Sequence, residues 1–173
     1  MEKYKPDLYQ KSVYSIDYDK LKERGIECLL IDLDNTLVSP FVKVPNDRLK
    51  KLFQELKDKG FHVILFSNAL KRRVRPFQEA LGVEAISFAC KPSKRKYLKV
   101  LEKNHYNESQ VAMSGDQLLT DVLGGNKAGI TTILINPVSP KDHFPVNLFR
   151  CYERHIMKKL RGQNLFVRGK YYE

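Results

Sequence analysis

The chain has 173 residues, 42% hydrophobic and 29% charged, which suits one domain with a proper core and excludes a disordered or low-complexity protein. Its longest apolar runs are a few residues, far below the roughly 20 that span a bilayer, and Met1-Glu2-Lys3-Tyr4-Lys5-Pro6 has no apolar stretch behind its charges, which argues against a secretory signal. The net charge of +11 favours anionic partners (phosphate esters, nucleic acid or anionic lipid) without choosing among them.

Strand-like and helix-like patterns alternate along the chain. Residues 27–33 read as a buried strand. Residues 46–59 read as a helix, because Leu49, Leu52, Phe53 and Leu56 share one face at i, i+3, i+4 and i+7, and Gly60 ends it. A strand is predicted over 61–66, then a helix over 70–81, interrupted or bent near Pro76 and closed by Gly82. A short strand follows at 84–88, and a helix at 93–104 with Ser93 as its N-cap. The last three elements are a strand at 110–114, a helix at 120–127 and a strand at 131–135. This order predicts a three-layer α/β/α, Rossmann-like parallel sheet of about five strands. One unit is expected over 1–173, with a core at about 20–140 and a basic C-terminal segment at 146–173. Cys28, Cys90 and Cys151 are odd in number and widely spaced. They suggest neither a disulfide framework nor a metal site, and fit a reduced, cytoplasmic setting.

Ligands of such sheets sit beyond the carboxyl ends of the strands, so the chemistry is sought there. The first strand ends in Asp32-Leu33-Asp34-Asn35-Thr36. Two carboxylates two residues apart in an extended segment face one side, and they repel unless a proton or cation intervenes. A hard divalent cation such as magnesium would relieve that repulsion. The second strand ends in Ser67-Asn68, whose hydroxyl and amide can donate to phosphate oxygens or cap the next helix. Lys91-Pro92 follows the third strand, with Lys94, one helical turn on, as a rival ammonium. The fourth ends in Gly115-Asp116, with Asp121 five residues later as a further carboxylate or a helix cap. His62, His105, His143 and His155 form no ligand spacing.

Together these residues resemble the four motifs of the haloacid dehalogenase (HAD) superfamily. Leu-Leu-Ile-Asp-Leu-Asp-Asn-Thr, Ile-Leu-Phe-Ser, Lys91 and Gly-Asp-Gln-Leu-Leu-Thr-Asp stand in the family's order over residues 29–121. The resemblance implies a magnesium-dependent phosphatase. Asp32 would attack phosphorus and form an aspartyl-phosphate, and Asp34 would protonate the leaving oxygen and then activate water. Magnesium would take the Asp32 carboxylate, the Asp34 backbone carbonyl and Asp116. Ser67, with Asn68 beside it, would hold phosphoryl oxygens and Lys91 would offset developing charge. Asp121 would assist the metal site or orient Lys91, and Thr36 would support the loop. Asn35 stands where many members have glycine, so the turn there is expected to differ.

Neither the stretch from Asp34 to Ser67 nor that from Ser67 to Lys91 is long enough for an inserted cap domain, so an open site is expected. The chain is most similar to the capless subclass IIIA and its YqeG-type group, related to phosphatidylglycerophosphate phosphatases. That resemblance covers about residues 20–140 and implies a lipid phosphate monoester or another large or surface-bound ester as substrate. Soluble metabolites or nucleotides, or an RNA- or ribosome-associated role on the same fold, are the alternatives. No nucleic-acid motif supports the last. Basic residues gather at 71–99 and 150–173, as solvated helix faces or as a surface for an anionic partner. In the second group Phe149, Tyr152, Ile156 and Leu160 fall at helical spacing, interleaved with Arg154, Lys158, Lys159 and Arg161. That helix either packs its apolar face on the domain or rests peripherally on an anionic membrane.

Overall fold

The computed structural model describes residues 1–140, 144–163 and 165–172, the side chains of 144–150 excepted. Among the described residues, six parallel strands form one sheet: β1 (Leu8–Gln10), β2 (Cys28–Ile31), β3 (His62–Phe66), β4 (Glu84–Ile86), β5 (Val111–Gly115) and β6 (Thr131–Ile135), in the order β1-β6-β5-β2-β3-β4. The helices are α1 (Tyr18–Glu23), α2 (Asp47–Asp58), α3 (Lys71–Leu81), α4 (Arg95–Asn104), α5 (Leu123–Ala128) and α6 (Phe144–Gly162). The α/β/α sandwich expected from the alternating pattern is therefore present.

Side-chain alternation along the central strands divides the core. Leu29 and Ile31 of β2, with Val63 and Leu65 of β3, face a cluster holding Leu49, Leu52, Phe53 and Leu56 of α2 and Val74, Phe77 and Leu81 of α3. Cys28 and Leu30, with Ile64 and Phe66, face the other side, against Tyr97, Val100 and Leu101 of α4. Both faces of the sheet are covered, which is why the strand segments read as unbroken apolar runs. The apolar positions of α2 fall on one buried face, and Asn46 caps it by accepting from the Leu49 N–H at 2.9 Å.

Three local expectations shift. The helix at 71–81 runs through Pro76 as one element although Pro76 stands in its middle, where it gives up the helical bond its missing N–H would have made. α4 begins at Arg95 and has no side-chain cap. The helix expected over 120–127 splits into a π turn, Leu118–Val122, followed by α5.

β1 was not apparent in the sequence, because three residues are too few to show a period. It pairs with β6, and Leu8, Tyr9 and Gln10 are all buried. Its outer edge is covered in turn by Tyr172: Tyr9 N–H donates to Tyr172 O at 2.9 Å and Tyr172 N–H to Tyr9 O at 3.0 Å. A third cluster follows from this arrangement, with Ile156 and Leu160 of α6 and Phe166 packed on Tyr9, Leu118, Val122 and Leu134. The basic C-terminal segment thus spends Ile156 and Leu160 on the domain, while Tyr152, Arg154, Lys158, Lys159 and Arg161 face outward. Phe149 and His143, named above, lie outside the described side chains. No helix of the described residues is long and apolar enough to cross a membrane. Leu160→Ala should cost about 2–5 kcal/mol, read as a lower urea midpoint with an unchanged m-value.

Candidate active site

The sheet order places a topological switch between β2 and β5, since β2 leads to β3 on one side and meets β5 on the other. Crevices that take ligands open at such points. Register brings the ends together: Ile31 pairs with Leu65 and with Ser114. Asp32, Ser67 and Asp116 therefore leave the sheet within one residue of the same level.

Lys91 organises what gathers there. Its ammonium is buried and donates to Asp32 Oδ1 at 2.6 Å, Asp121 Oδ1 at 2.7 Å and the Phe66 carbonyl at 2.9 Å. Burial works against its charge, but Asp121 and Asp32 outweigh that and raise its pKa. Lys94 lies instead at the exposed N-terminus of α4. Asn68 fixes the Lys91 backbone from both sides, accepting from its N–H at 2.8 Å and donating to its carbonyl at 3.1 Å. These bonds make Asn68 first a support for Lys91. Ser67 is buried and its hydroxyl accepts from Ala69 N–H at 3.1 Å. It does not cap α3, whose N-cap is Leu70.

Asp32, Asp116 and Asp121 are all buried, with one carboxylate oxygen from each lying within 4.8 Å of the others. Thr36 Oγ1 is 3.3 Å from Asp32 Oδ2 and 3.2 Å from Asp116 Oδ1. Asp121 also accepts from Gln117 N–H at 3.1 Å, so it turns back toward Lys91 rather than capping α5. Three buried carboxylates against one ammonium leave negative charge that the low-dielectric interior penalises. The donor set is all hard oxygen, so the residues present fit a magnesium ion. Asp32, whose Oδ1 Lys91 takes, and Asp116 are joined through the Thr36 hydroxyl and would supply carboxylate oxygens to it. Below them Tyr97 is fully buried, its ring 4.5 Å from Phe66. Burial, reinforced by Asp121 and Asp32, raises its phenol pKa and keeps it neutral.

Asp34 goes elsewhere than its neighbour. Its Oδ1 accepts from Arg73 Nε at 2.9 Å and Nη2 at 2.7 Å, while the same guanidinium reaches the Val42 and Ser39 carbonyls. The Asp34 carboxylate thus stands apart from the three-aspartate cluster, beside the cavity. Arg73 was not found from the sequence as a site residue. It was visible only as one member of the basic run at 71–75, and nothing local links it to Asp34 39 residues away.

Two backbone details explain residue choices. Asn35 has φ +63° and is fully buried, a left-handed conformation that glycine or asparagine adopts most readily. Asparagine adds what glycine lacks, since its Oδ1 accepts from Ser139 N–H at 3.0 Å and ties down the loop after β6. Gly115 is required by packing: a Cβ there would lie 2.1 Å from Asp121 Cγ.

The cavity has a volume of about 560 Å³ and is lined by Asp32, Asp34, Ser67, Leu70, Arg72 and Lys91, among others. Between the first two motif strands lie one loop and α2, and between the second strand and Lys91 lie α3 and β4, so no inserted domain covers the mouth.

Comparison with known proteins gives similarities in sequence and in fold. A family model described as HAD-hydrolase-like matches residues 88–137. The chain is 39% identical over 156 residues to a protein named probable phosphatase YqeG of Bacillus subtilis (strain 168), covering 90% of this chain and 91% of that one. It is 24% identical to phosphatidylglycerophosphate phosphatase 1, chloroplastic/mitochondrial, of Arabidopsis thaliana over 89% of this chain and 47% of that protein. The Chlamydomonas reinhardtii chloroplastic counterpart is 27% identical, over 78% and 53%. The chain therefore spans about half the length of these two relatives. A crystal structure of a hypothetical protein from Xanthomonas campestris shares the fold, with a TM-score of 0.57 at 18% identity over 76% of each chain.

Two outcomes follow from the site's packing and charge. Gly115→Ala should cost about 1–3 kcal/mol in thermal unfolding, because the new methyl must displace Asp121. Burial raises the Asp32 carboxyl to about 6, with Lys91 opposing and Asp121 and Asp34 adding to the rise. Below that value the proton-bound form dominates, and a proton and a divalent cation compete for the same oxygens. Magnesium affinity by calorimetry should therefore be strong above about pH 6 and fall as pH drops through it.

Proposed function

The chain belongs to the haloacid dehalogenase-like phosphatases of the YqeG type, and we propose that it hydrolyses a phosphate monoester borne on a lipid head group, through a phosphorylated Asp32. The observation that carries the chemistry is the Lys91 ammonium held between Asp32 and Asp121 at the foot of an uncapped cavity. Similarity to the phosphatidylglycerophosphate phosphatases supports the substrate class. So does the open mouth, since among the described residues no inserted domain forms a lid that would exclude water and select small substrates.

In this reading Asp32 Oδ attacks phosphorus as the ester P–O bond breaks. The leaving oxygen takes its proton from Asp34. Asp34, now ionised, takes a proton from water as that water attacks phosphorus, which frees Asp32 and inorganic phosphate. Lys91 keeps Asp32 ionised and placed, and Ser67 offers its hydroxyl to a phosphoryl oxygen. Arg73 acts as a positioning residue: both of its contacts to Asp34 fall on Oδ1, which leaves Oδ2 for proton exchange. Asp32 and Asp116, with the Asp34 backbone carbonyl, would hold magnesium, which when bound offsets the charge between the nucleophile and the phosphoryl oxygens.

Single-turnover kinetics with p-nitrophenyl phosphate test the assignment. Asp34→Asn should release a burst of one p-nitrophenol per enzyme and then stall, because an activated aryl ester leaves without an acid while the intermediate still needs a base. Asp32→Asn should show no burst. A burst from Asp32→Asn would remove Asp32 as nucleophile, and sustained turnover by Asp34→Asn would remove Asp34 as the base. A phosphate-release panel of lipid, sugar, nucleotide and peptide esters tests the substrate, and turnover confined to soluble esters would refute the lipid reading.

A further inference from the structure

Among the described residues, five of the ten exposed large apolar side chains, Phe41, Val42, Val44, Leu70 and Phe88, gather on three loops. Val42 (39% exposed) and Val44 (62%) lie on the loop after β2, Leu70 (50%) on the loop after β3, and Phe88 (58%) on the loop after β4. These strands are adjacent in the sheet, so all three loops rise at its carboxyl end, around the mouth of the catalytic cavity. Leu70 lines that cavity. The loops are bonded to one another as well: Phe88 N–H donates to the Ala69 carbonyl at 2.9 Å, and Arg73 reaches the Val42 carbonyl. Apolar side chains gathered at a site mouth are unusual on a chain this charged and polar, and such patches mark interaction surfaces.

Phe88 is the sharpest case. Its φ is +52°, a left-handed conformation that is costly for a bulky residue. Its ring nevertheless stays mostly in solvent, so packing within the domain does not account for the strain. Lys96 holds the turn by donating to the Ser87 and Phe88 carbonyls.

Charge on the same rim selects the partner. Segments 39–46, 67–78 and 87–101 contain no aspartate or glutamate, and they carry exposed Lys43, Lys71, Arg72, Lys94 and Arg95. An apolar patch ringed mostly by cations, with Asp34 held by Arg73 and Asp47 at its edge as the nearby acids, is complementary to an anionic lipid surface. There, aliphatic and aromatic side chains enter the head-group boundary while lysine and arginine meet the phosphates. Nucleic acid fits less well, because valine and leucine offer bases no stacking face. α6 also displays cations, but it turns Ile156 and Leu160 inward and so has less apolar surface to insert.

We propose that the rim formed by the loops after β2, β3 and β4 docks the phosphatase on an anionic membrane, with the cavity mouth facing the lipid head groups. The inference rests on the lipid-phosphate reading of the same site and adds where the bilayer lies. It makes diffusion of substrate along the membrane, rather than through water, the route to Asp32.

Vesicle co-sedimentation tests it. The probes are vesicles of phosphatidylcholine mixed with phosphatidylglycerol, and vesicles of phosphatidylcholine alone, each at low and high salt. Wild type should sediment with the first and not the second, and less so at high salt. Val44→Ser combined with Phe88→Ser should lower partitioning roughly tenfold, and Lys43→Gln combined with Lys71→Gln at least about fivefold. Both variants should keep p-nitrophenyl phosphate hydrolysis within about twofold of wild type, since none of the four residues lines the cavity, and this shows that they fold. Wild type that ignores anionic vesicles would overturn the proposal. So would a Val44/Phe88 variant that binds like wild type, or binding lost only when Lys158 and Lys159 of α6 are changed. Wild type that docks through the rim yet hydrolyses no lipid phosphate would sustain the docking surface and sink the substrate reading alone. Turnover of lipid phosphate in detergent micelles without rim-dependent docking would do the reverse.

Discussion

One ammonium among three buried carboxylates governs this structure. Lys91 bridges Asp32 and Asp121, and a charge buried without a partner there would cost several kcal/mol. The surrounding architecture serves that contact. Asn68 grips the Lys91 backbone, the Phe66 carbonyl takes its third proton, and Gly115 gives up its side chain so that Asp121 can approach. The arrangement is electrically incomplete by design, since one positive charge does not balance three negative ones. The deficit is what a divalent cation that prefers oxygen ligands would offset.

The two aspartates of the first motif are handled by different means. Asp32 is pulled into the interior by Lys91 and Thr36. Asp34, two residues on, is held at the cavity by Arg73 of α3. In the proposed reaction their separation lets one carboxylate attack while the other exchanges protons. The same guanidinium that positions Asp34 also tethers the loop at 39–42. The placement of the Asp34 carboxylate and the shape of the cavity rim are therefore linked through one side chain. On the far side, Asn35 ties the motif to the loop after β6, so the first motif is pinned from both directions.

The C-terminal segment supports the site from behind. α6 packs Ile156 and Leu160 against the π turn, and Glu153, itself buried, accepts from the Leu119 N–H at 3.0 Å. That turn carries Asp121. The segment also closes the outer edge of β1 through Tyr172, which removes an unpaired strand edge. Its cations remain outside and its apolar face does not. This division leaves α6 less apolar surface to insert than the strand-end loops of the proposed docking rim.

Much of this was legible in the sequence, because the period of apolar residues and the identity of strand-end residues are local properties. The α2 stripe, the buried runs of β2, β3 and β5, the bounds of β6, and the order of Asp32, Ser67, Lys91 and Asp116 all follow from neighbours along the chain. What the chain order could not contain was decided by tertiary structure. β1 has too few residues for a period and exists only because β6 offers it an edge. Arg73 becomes a partner of Asp34, and Lys91 rather than Lys94 enters the cluster, only once parallel pairing brings distant strand ends to one level. The loops holding Val44, Leu70 and Phe88 likewise become one surface only in the folded sheet. Local patterns fix which residues can form an element. Burial and charge neutralisation between elements, which act through space rather than along the chain, fix which residues meet.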